Sequence, residues 1–245
     1  MSDQSLYNAN VAHFNQFSKD LDLQPWGIVG MNIWKKLLTH VLKAASFDKN
    51  TSEVMDFGCG NGFNASLLVP HAKTILGVDV SSGMVDEFNK NVKKWGLGED
   101  GNISAIHADL TEGGLDGRKF DIIFVRSLCR LPYRVFMPNQ HQSIQSSMVY
   151  HHLPSPEETT KLLASYLKPG GRLLVTDWIK GERETYTEQI GSIMKVDGFS
   201  EEEMKFVFES GGLKFLGFEG AAKMDEMVGD YHLDKTAYLA WGTKL

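Results

Sequence analysis

Three glycines stand at alternate positions early in the chain, at Gly58, Gly60 and Gly62. They follow a short apolar run that contains one acid, Asp56, and they precede a helix-like segment that starts at Phe63. Because glycine has no Cβ and tolerates left-handed backbone, a turn built from glycines can bring its backbone very close to a ligand. The pattern predicts a strand, a tight turn and a helix whose N-terminus faces the ligand.

Glycine-rich turns of this kind are typical of two classes of nucleotide-binding enzyme. The dinucleotide fingerprint G-x-G-x-x-G requires its third glycine where this chain carries Phe63, and here the third glycine comes one residue earlier, at Gly62. The alternate spacing instead resembles motif I of class I S-adenosylmethionine-dependent methyltransferases. The order of the segments that follow favours this second class.

Three later apolar runs agree with the order of that family. Thr74–Val80 contains Asp79, and an acid at the end of a second strand can accept hydrogen bonds from both ribose hydroxyls of an adenosine. Ile103–Leu110 contains Asp109, for which the resemblance implies contact with the exocyclic amine of adenine. Phe120–Phe124 reads as the fourth strand.

The second half of the chain predicts the rest of the sheet. Pro169 ends a helix, and Gly170 and Gly171 turn the chain into a buried fifth strand. Residues 213–219 and 236–242 predict the last two strands, and the resemblance implies that the final strand is inserted beside the sixth. We therefore expect an α/β fold, a doubly wound, mostly parallel seven-stranded sheet with an antiparallel last strand, Rossmann-like, with residues 1–245 as one domain.

Serines mark the starts of three predicted helices. Ser81 caps a helix that runs to Trp95, and Ser200 with Glu203 forms a capping box. Residues 155–158 combine a serine, a proline at the first helical position and a glutamate, which predicts a second capping box and a helix to Leu167.

Residues 1–50 precede the first strand and predict an N-terminal helical lid or cap. Apolar residues between Ile33 and Leu42 have helical spacing, so this part is expected to pack on the sheet. The aromatic residues before it, Tyr7, Phe14 and Phe17, belong either to a lid over the cofactor or to an ordinary peripheral helix.

The resemblance implies S-adenosyl-L-methionine as the cofactor and a binding site along the first three strands. Asp79, as a strand-end acid that faces a cleft, is expected to bind ribose and to contribute little to packing. The implied cofactor-binding residues are Asp56, Gly58, Cys59, Gly60, Asn61, Gly62, Asp79, Val80, Met84, Asp109 and Leu110.

Methyl transfer from a sulfonium requires an oriented acceptor and, for an oxygen acceptor, removal of a proton. His151 and His152 follow the fourth strand, and either could be the base because histidine as a residue type suits proton transfer near neutrality; a structural hydrogen bond is the alternative for each. No third ligand stands at a suggestive spacing, and we predict no metal. Tyr150 and Trp178 either form an aromatic wall for the acceptor or belong to the core.

Residues 125–145 differ in composition from their neighbours. They contain three arginines, two prolines and no acid in an acidic chain. Removing them would join Phe124 to Ser146 as the resembled family normally continues. The segment is therefore an insertion, either a retained in-frame intron or a genuine substrate loop or basic contact patch.

Composition bounds the function of this chain of 245 residues. The net charge of -6 and the pI near 5.8 argue against nucleic-acid and anionic-membrane partners. No apolar run approaches a membrane span. Cys59, in the glycine turn, is a poor disulfide partner for Cys129, which favours a reducing compartment. We expect a cytoplasmic protein, with access to the nucleus left open.

These observations predict a methyltransferase that uses S-adenosylmethionine and a small-molecule acceptor, such as a phenol, a carboxylate or an amine. Two alternatives stay open. The fold could serve a catalytically silent, methyltransferase-like binding or regulatory subunit, or the acceptor could be a protein. The sequence leaves the acceptor and the oligomeric state unassigned.

Overall fold

A computed structural model describes residues 25–126, 150, 153, 155–181, 198–228 and 231–245. Within these ranges, seven strands form one sheet, and five α-helices cover it on both faces. The helices are α1 Pro25–Ala44, α2 Phe63–Leu68, α3 Ser82–Lys94, α4 Pro156–Tyr166 and α5 Glu201–Ser210. The strands are β1 Glu53–Phe57, β2 Thr74–Asp79, β3 Ile103–His107, β4 Phe120–Arg126, β5 Leu167–Trp178, β6 Leu213–Val228 and β7 Tyr231–Lys244.

The sheet has the strand order β3-β2-β1-β4-β5-β7-β6. Strands β1 to β5 pair in parallel, and β7 is antiparallel to both of its neighbours, β5 and β6. This confirms the predicted seven-stranded doubly wound sheet with its inserted antiparallel last strand. The chain order reverses between β1 and β4, and open α/β sheets bind ligands beyond the carboxyl ends of strands at such a reversal.

Each strand divides its side chains between two separate apolar cores. Val54, Phe124 and Leu174 point to one face, which we call the α1 face because α1 packs on it. Their neighbours Met55 and Ile123 point to the other, the α4 face. The alternation follows from the two-residue period of a strand, and continuous apolar strands such as β4 are typical of a sheet buried on both faces.

Helix α1 confirms the sequence prediction of an apolar helix packed on the sheet. It buries Ile33, Trp34, Leu37 and Val41, and the ring centroid of Trp34 lies 4.7 Å from that of Phe124. The lid predicted before this helix lies in residues 1–24, outside the described part of the chain.

Helix starts follow the predicted caps. The Ser81 hydroxyl accepts a hydrogen bond from the Met84 amide, and Ser200 and Glu203 form the complete capping box. Ser155 caps the Glu158 amide as expected, but its hydroxyl donates to the Glu157 carboxylate, so the predicted capping box is present only in its side-chain-to-backbone half.

Three strands are longer than the sequence predicted. β4 continues through Val125 and Arg126, which pair with Val175 and Thr176 of β5, so the first two residues of the predicted insertion complete a strand. β6 and β7 form a ribbon of 16 and 14 residues where about seven each were expected. In its outer part, β6 and β7 pair only with each other and carry many polar residues. The sequence there lacks the apolar pattern of a buried strand, so the full length of the ribbon was not predicted.

The Ser200 capping box supplies a direct test of helix α5. Ser200→Ala removes the acceptor of the Glu203 amide and should lower the free energy of unfolding by about 1 kcal/mol, equivalent to about 2–4 °C in melting temperature. Urea denaturation followed by circular dichroism measures the change. Ser165→Ala is the matched control, because its exposed hydroxyl only bonds back to the Leu162 carbonyl, and it should change stability by less than about 0.5 kcal/mol. Equal losses in the two variants would contradict the capping role.

Candidate functional site

The turn after β1 has the conformation that its glycines permit. Gly58, Gly60 and Gly62 have φ values of 72°, 54° and 86°, in the left-handed region that other residues rarely adopt. The amides of Gly58 and Cys59 both donate to the Val78 carbonyl, at 2.8 and 3.2 Å. The turn therefore continues the pairing of β1 with β2 past the last residue of the strand.

Asp79 connects this turn to the end of β2. Its Oδ2 atom accepts a hydrogen bond from the Gly60 amide at 3.0 Å, and its Oδ1 atom accepts one from the Ser81 amide at 2.9 Å. The side chain is only 6% exposed. These two hydrogen bonds give Asp79 a structural role that its position in the sequence did not indicate.

The underside of the turn packs against Phe88 of α3. A Cβ atom on Gly62 would lie 2.8 Å from the Phe88 ring, and one on Gly77 would lie 2.8 Å from both Phe88 and the Cys59 sulfur. Such distances are too short for carbon atoms in contact. The close packing of Cys59 and Phe88 over the middle of β2 therefore requires glycine at position 77.

Asn61 carries a polar side chain within the turn and is buried. Its Oδ1 atom accepts a hydrogen bond from the Phe63 amide at 3.3 Å, at the start of α2. Its backbone carbonyl accepts one from the Asn91 side chain of α3 at 3.2 Å. The Asn61 side chain thus contributes to the conformation of the turn, which its cofactor assignment did not anticipate.

The other two acids belong to the neighbouring strands. Asp56 lies in β1 and is 1% exposed. It stands two residues after Val54, so its side chain is on the α1 face of the sheet. Asp109 follows β3 by two residues, is half-buried, and accepts hydrogen bonds from the Thr111 amide at 2.9 Å and the Thr111 hydroxyl at 2.6 Å. Because β3, β2 and β1 are adjacent and parallel, Asp56, Asp79 and Asp109 lie along one edge of the sheet.

The remaining predicted cofactor residues occupy the same edge. Val80 is half-buried, and its carbonyl lies 3.1 Å from Nε2 of His107. Met84 and Leu110 are buried, in the first turns of the segments that follow β2 and β3. Their contact with a cofactor stays a prediction.

The acceptor side is only partly described. His151 and His152 lie outside the described residues, so their predicted role as base stays a prediction. Tyr150 belongs to the core of the α4 face and Trp178 to that of the α1 face. The suggested aromatic wall of these two residues is therefore wrong, because the sheet separates them, and core packing is the correct alternative.

Buried tyrosines on the α4 face are poor proton acceptors. Burial raises the pKa of Tyr150, although the hydrogen bond between its hydroxyl and that of Thr160, at 2.8 Å, partly opposes the shift. Burial, then the charge of Asp177, raises the pKa of Tyr238 well above its usual value. Both phenols stay protonated near neutral pH, so neither supplies a base there.

Two further findings concern the described residues alone. They contain no group of three histidine, cysteine or acidic side chains placed to hold a metal ion. None of their helices combines the length and the apolar character that crossing a bilayer requires.

Sequence reasoning missed several residues that shape this site. Ser81 was recognised as a cap but not as a donor to Asp79, and Phe88 and Asn91 of α3 were not singled out. Gly77 carried a usable signal, since a glycine inside an apolar strand often marks a close approach.

Most of the chain matches a known family. Residues 32–215 match the family described as "Methyltransferase domain". Because the match covers most of the chain, the protein belongs to this family. The sequence prediction of a class I S-adenosylmethionine-dependent methyltransferase is thereby confirmed at the level of family and fold.

Two curated relatives match part of the chain. An uncharacterized methyltransferase of Schizosaccharomyces pombe is 32% identical over 133 residues, which are 54% of this chain and 41% of that protein. A ubiquinone biosynthesis O-methyltransferase of Coxiella burnetii is 28% identical over 120 residues, 49% of this chain and 41% of that protein. The match thus spans about two fifths of the length of each relative.

The fold also matches solved structures. A SAM-dependent methyltransferase from Aquifex aeolicus superimposes with a TM-score of 0.57 and 19% sequence identity. The superposition covers 85% of this chain and 89% of that one. At this level of identity the likeness establishes the fold.

Packing behind the glycine turn generates a prediction. Gly77→Ala should destabilise the protein by about 1–3 kcal/mol, because the added methyl group overlaps Cys59 and Phe88. Removing the sulfur with Cys59→Ala should relieve part of this strain. The loss of stability in the double variant should therefore be smaller than the sum of the losses in the two single variants, by at least about 0.5 kcal/mol.

Denaturant unfolding of the four proteins of this cycle measures the coupling. Gly220→Ala is the matched control in another strand, since its Cβ would approach no atom closer than 3.2 Å. A Gly77→Ala protein as stable as the Gly220→Ala protein, or strict additivity with Cys59→Ala, would contradict the packing described for the turn.

Proposed function

We propose that this protein is an active methyltransferase that binds S-adenosylmethionine at the carboxyl edge of β1 to β3 and methylates a small-molecule acceptor. The observation that carries the proposal is the position of Asp79. Its buried carboxylate lies directly against the glycine turn, so a group with two adjacent hydroxyls can meet the carboxylate and the turn together.

The residues present fit an adenosine cofactor. Three left-handed glycines keep side chains away from the turn, so a ligand can approach the backbone. Asp79 places a charged acceptor at the end of β2, where two ribose hydroxyls could donate to it. Asp109 lies past the neighbouring strand and could accept from the adenine amine. Asp56 carries the charge that suits the ammonium group of the cofactor's amino acid end.

When bound, S-adenosylmethionine supplies a methyl group activated by a positively charged sulfur. The protein's own contribution is to hold the reacting groups in line and to exclude water, and alignment of this kind can provide roughly 7–11 kcal/mol. The turn would hold one end of the cofactor against β1 and β2. The acceptor would then approach from the side of β4, because the sheet order reverses between β1 and β4.

The proposed base is His151 or His152. The residues on either side, Tyr150 and Leu153, are buried on the α4 face, and the Leu153 amide donates to the Tyr150 carbonyl at 3.1 Å. The Tyr150 hydroxyl is tied to Thr160 in α4. Because α4 follows β4 and leads to the amino end of β5, its first turns lie at the carboxyl edge of the sheet. His151 and His152 lie between these two anchored residues in the sequence, which supports their choice as the proposed base.

A small-molecule acceptor is the class that the comparisons favour. The Coxiella burnetii relative is a ubiquinone biosynthesis O-methyltransferase, and its likeness to this chain suggests an oxygen acceptor such as a phenol. An oxygen acceptor would also give the histidine pair a proton to remove, since a phenol must lose its proton on methylation.

Cofactor choice is tested by calorimetric titration of the purified protein. S-adenosylmethionine and S-adenosylhomocysteine should bind at one site, and NAD should not bind. Gly60→Val should weaken binding of S-adenosylhomocysteine by at least about tenfold, because a branched side chain is strained at a positive φ and would occupy ligand space. Tight binding of NAD without binding of the sulfonium would overturn the proposal.

The acceptor and the base are tested by turnover. A panel of phenols, carboxylates and amines is incubated with methyl-labelled S-adenosylmethionine, and we expect transfer to a phenol. Replacing the catalytic histidine with alanine should then lower kcat by about 10²–10⁴-fold while the Kd for S-adenosylhomocysteine is unchanged. His71→Ala is the control, since His71 ends the short 3-10 helix before β2, away from the carboxyl edge of the sheet, and should leave kcat within about twofold. Full activity of the His151→Ala, His152→Ala double variant would remove both residues from the mechanism.

A further inference from the structure

We propose that Asp79 is a positioning residue for the glycine turn, in addition to binding the cofactor. Its carboxylate accepts the hydrogen bond of the Gly60 amide and thereby restrains the turn. The ligand part of this inference rests on the proposed function, whereas the effect on the turn can be measured without any ligand.

The turn needs an outside restraint because of its composition. Glycine loses more conformational freedom on folding than any other residue, and three glycines fall within five positions here. The amides of Gly58 and Cys59 are restrained by the Val78 carbonyl, which continues the sheet pairing. Gly60 lies beyond this pairing, and its amide is instead bound by the side chain of Asp79 at 3.0 Å.

The acceptor of the Gly60 amide is well suited to this task. Hydrogen bonds to an ionised group are stronger than those between neutral groups, and at 6% exposure little water competes for the carboxylate. The second oxygen is fixed by the Ser81 amide at 2.9 Å, just before α3. The Oδ1 atom is therefore fixed by the backbone before α3, while the Oδ2 atom restrains the turn.

This geometry couples the turn to cofactor binding. If ribose hydroxyls donate to the same carboxylate, the ligand meets a turn that is already ordered, and little ordering entropy is lost on binding. Loss of Asp79 should then weaken binding twice, once through the ribose and once through the turn. If Asp79 contacted only the ribose, its loss would weaken binding through the ribose alone. The two roles therefore predict different results.

The turn is tested by amide hydrogen exchange, followed by NMR on the cofactor-free protein. In Asp79→Ala, exchange of the Gly60 amide should accelerate by about tenfold or more, as expected for loss of a charged hydrogen bond. Asp79→Asn preserves the volume of the side chain but has one acceptor oxygen, and it should give a smaller acceleration. Asp109→Ala is the matched control, because the Asp109 carboxylate bonds to Thr111, and it should leave Gly60 exchange within about twofold.

Binding is tested with S-adenosylhomocysteine and its 2′,3′-dideoxy analogue, which lacks both ribose hydroxyls. Asp79→Ala should weaken the dideoxy analogue by about three- to tenfold, although this ligand offers the carboxylate no hydroxyl. The loss for S-adenosylhomocysteine itself should be larger, because the ribose bonds are lost as well.

The proposal is overturned if Gly60 exchange is unchanged in both Asp79 variants, or if the dideoxy analogue binds the Asp79→Ala protein as tightly as the original. It is also overturned if exchange accelerates equally at the Ile123 amide in the centre of the sheet, since the effect would then be global. If neither nucleoside binds any form of the protein, the proposed function fails, while the exchange data still decide the role of Asp79 in the turn.

Discussion

The carboxyl end of β2 fixes the turn that follows β1, and the site at this edge depends on that restraint. Val78 binds two amides of the turn through its carbonyl, and Asp79 binds a third through its side chain. The underside of the turn rests on Phe88, which leaves no room for a Cβ at Gly62 or Gly77. Backbone pairing, a buried charge and close packing together fix the conformation of the turn.

The sequence was sufficient to predict the strands, the caps and the family, because these follow from local patterns. Glycine spacing, strand-end acids and serine caps are signals that a few neighbouring residues carry, and the structure has them where expected. The inserted position of β7 came from the resemblance to a family and was also confirmed.

Interactions between distant segments were harder to predict from the sequence. The sequence shows that Tyr150 and Trp178 are aromatic, but their places in different cores depend on the parity of β5 and on the turn before α4. The bonds from Asp79 to Gly60 and Ser81 could not be read from one acid at a strand end. The extended β6–β7 ribbon was missed because its outer part has no partner in the sheet to impose an apolar pattern.

The central claim is that the edge formed by Asp56, Asp79 and Asp109 binds the cofactor. A crystal structure of the complex with S-adenosylhomocysteine tests it most directly. We expect the ribose hydroxyls within hydrogen-bonding distance of Asp79, the adenine amine near Asp109, and the glycine turn unmoved. A ligand bound elsewhere on the protein, or a ribose that does not contact Asp79, would contradict the account.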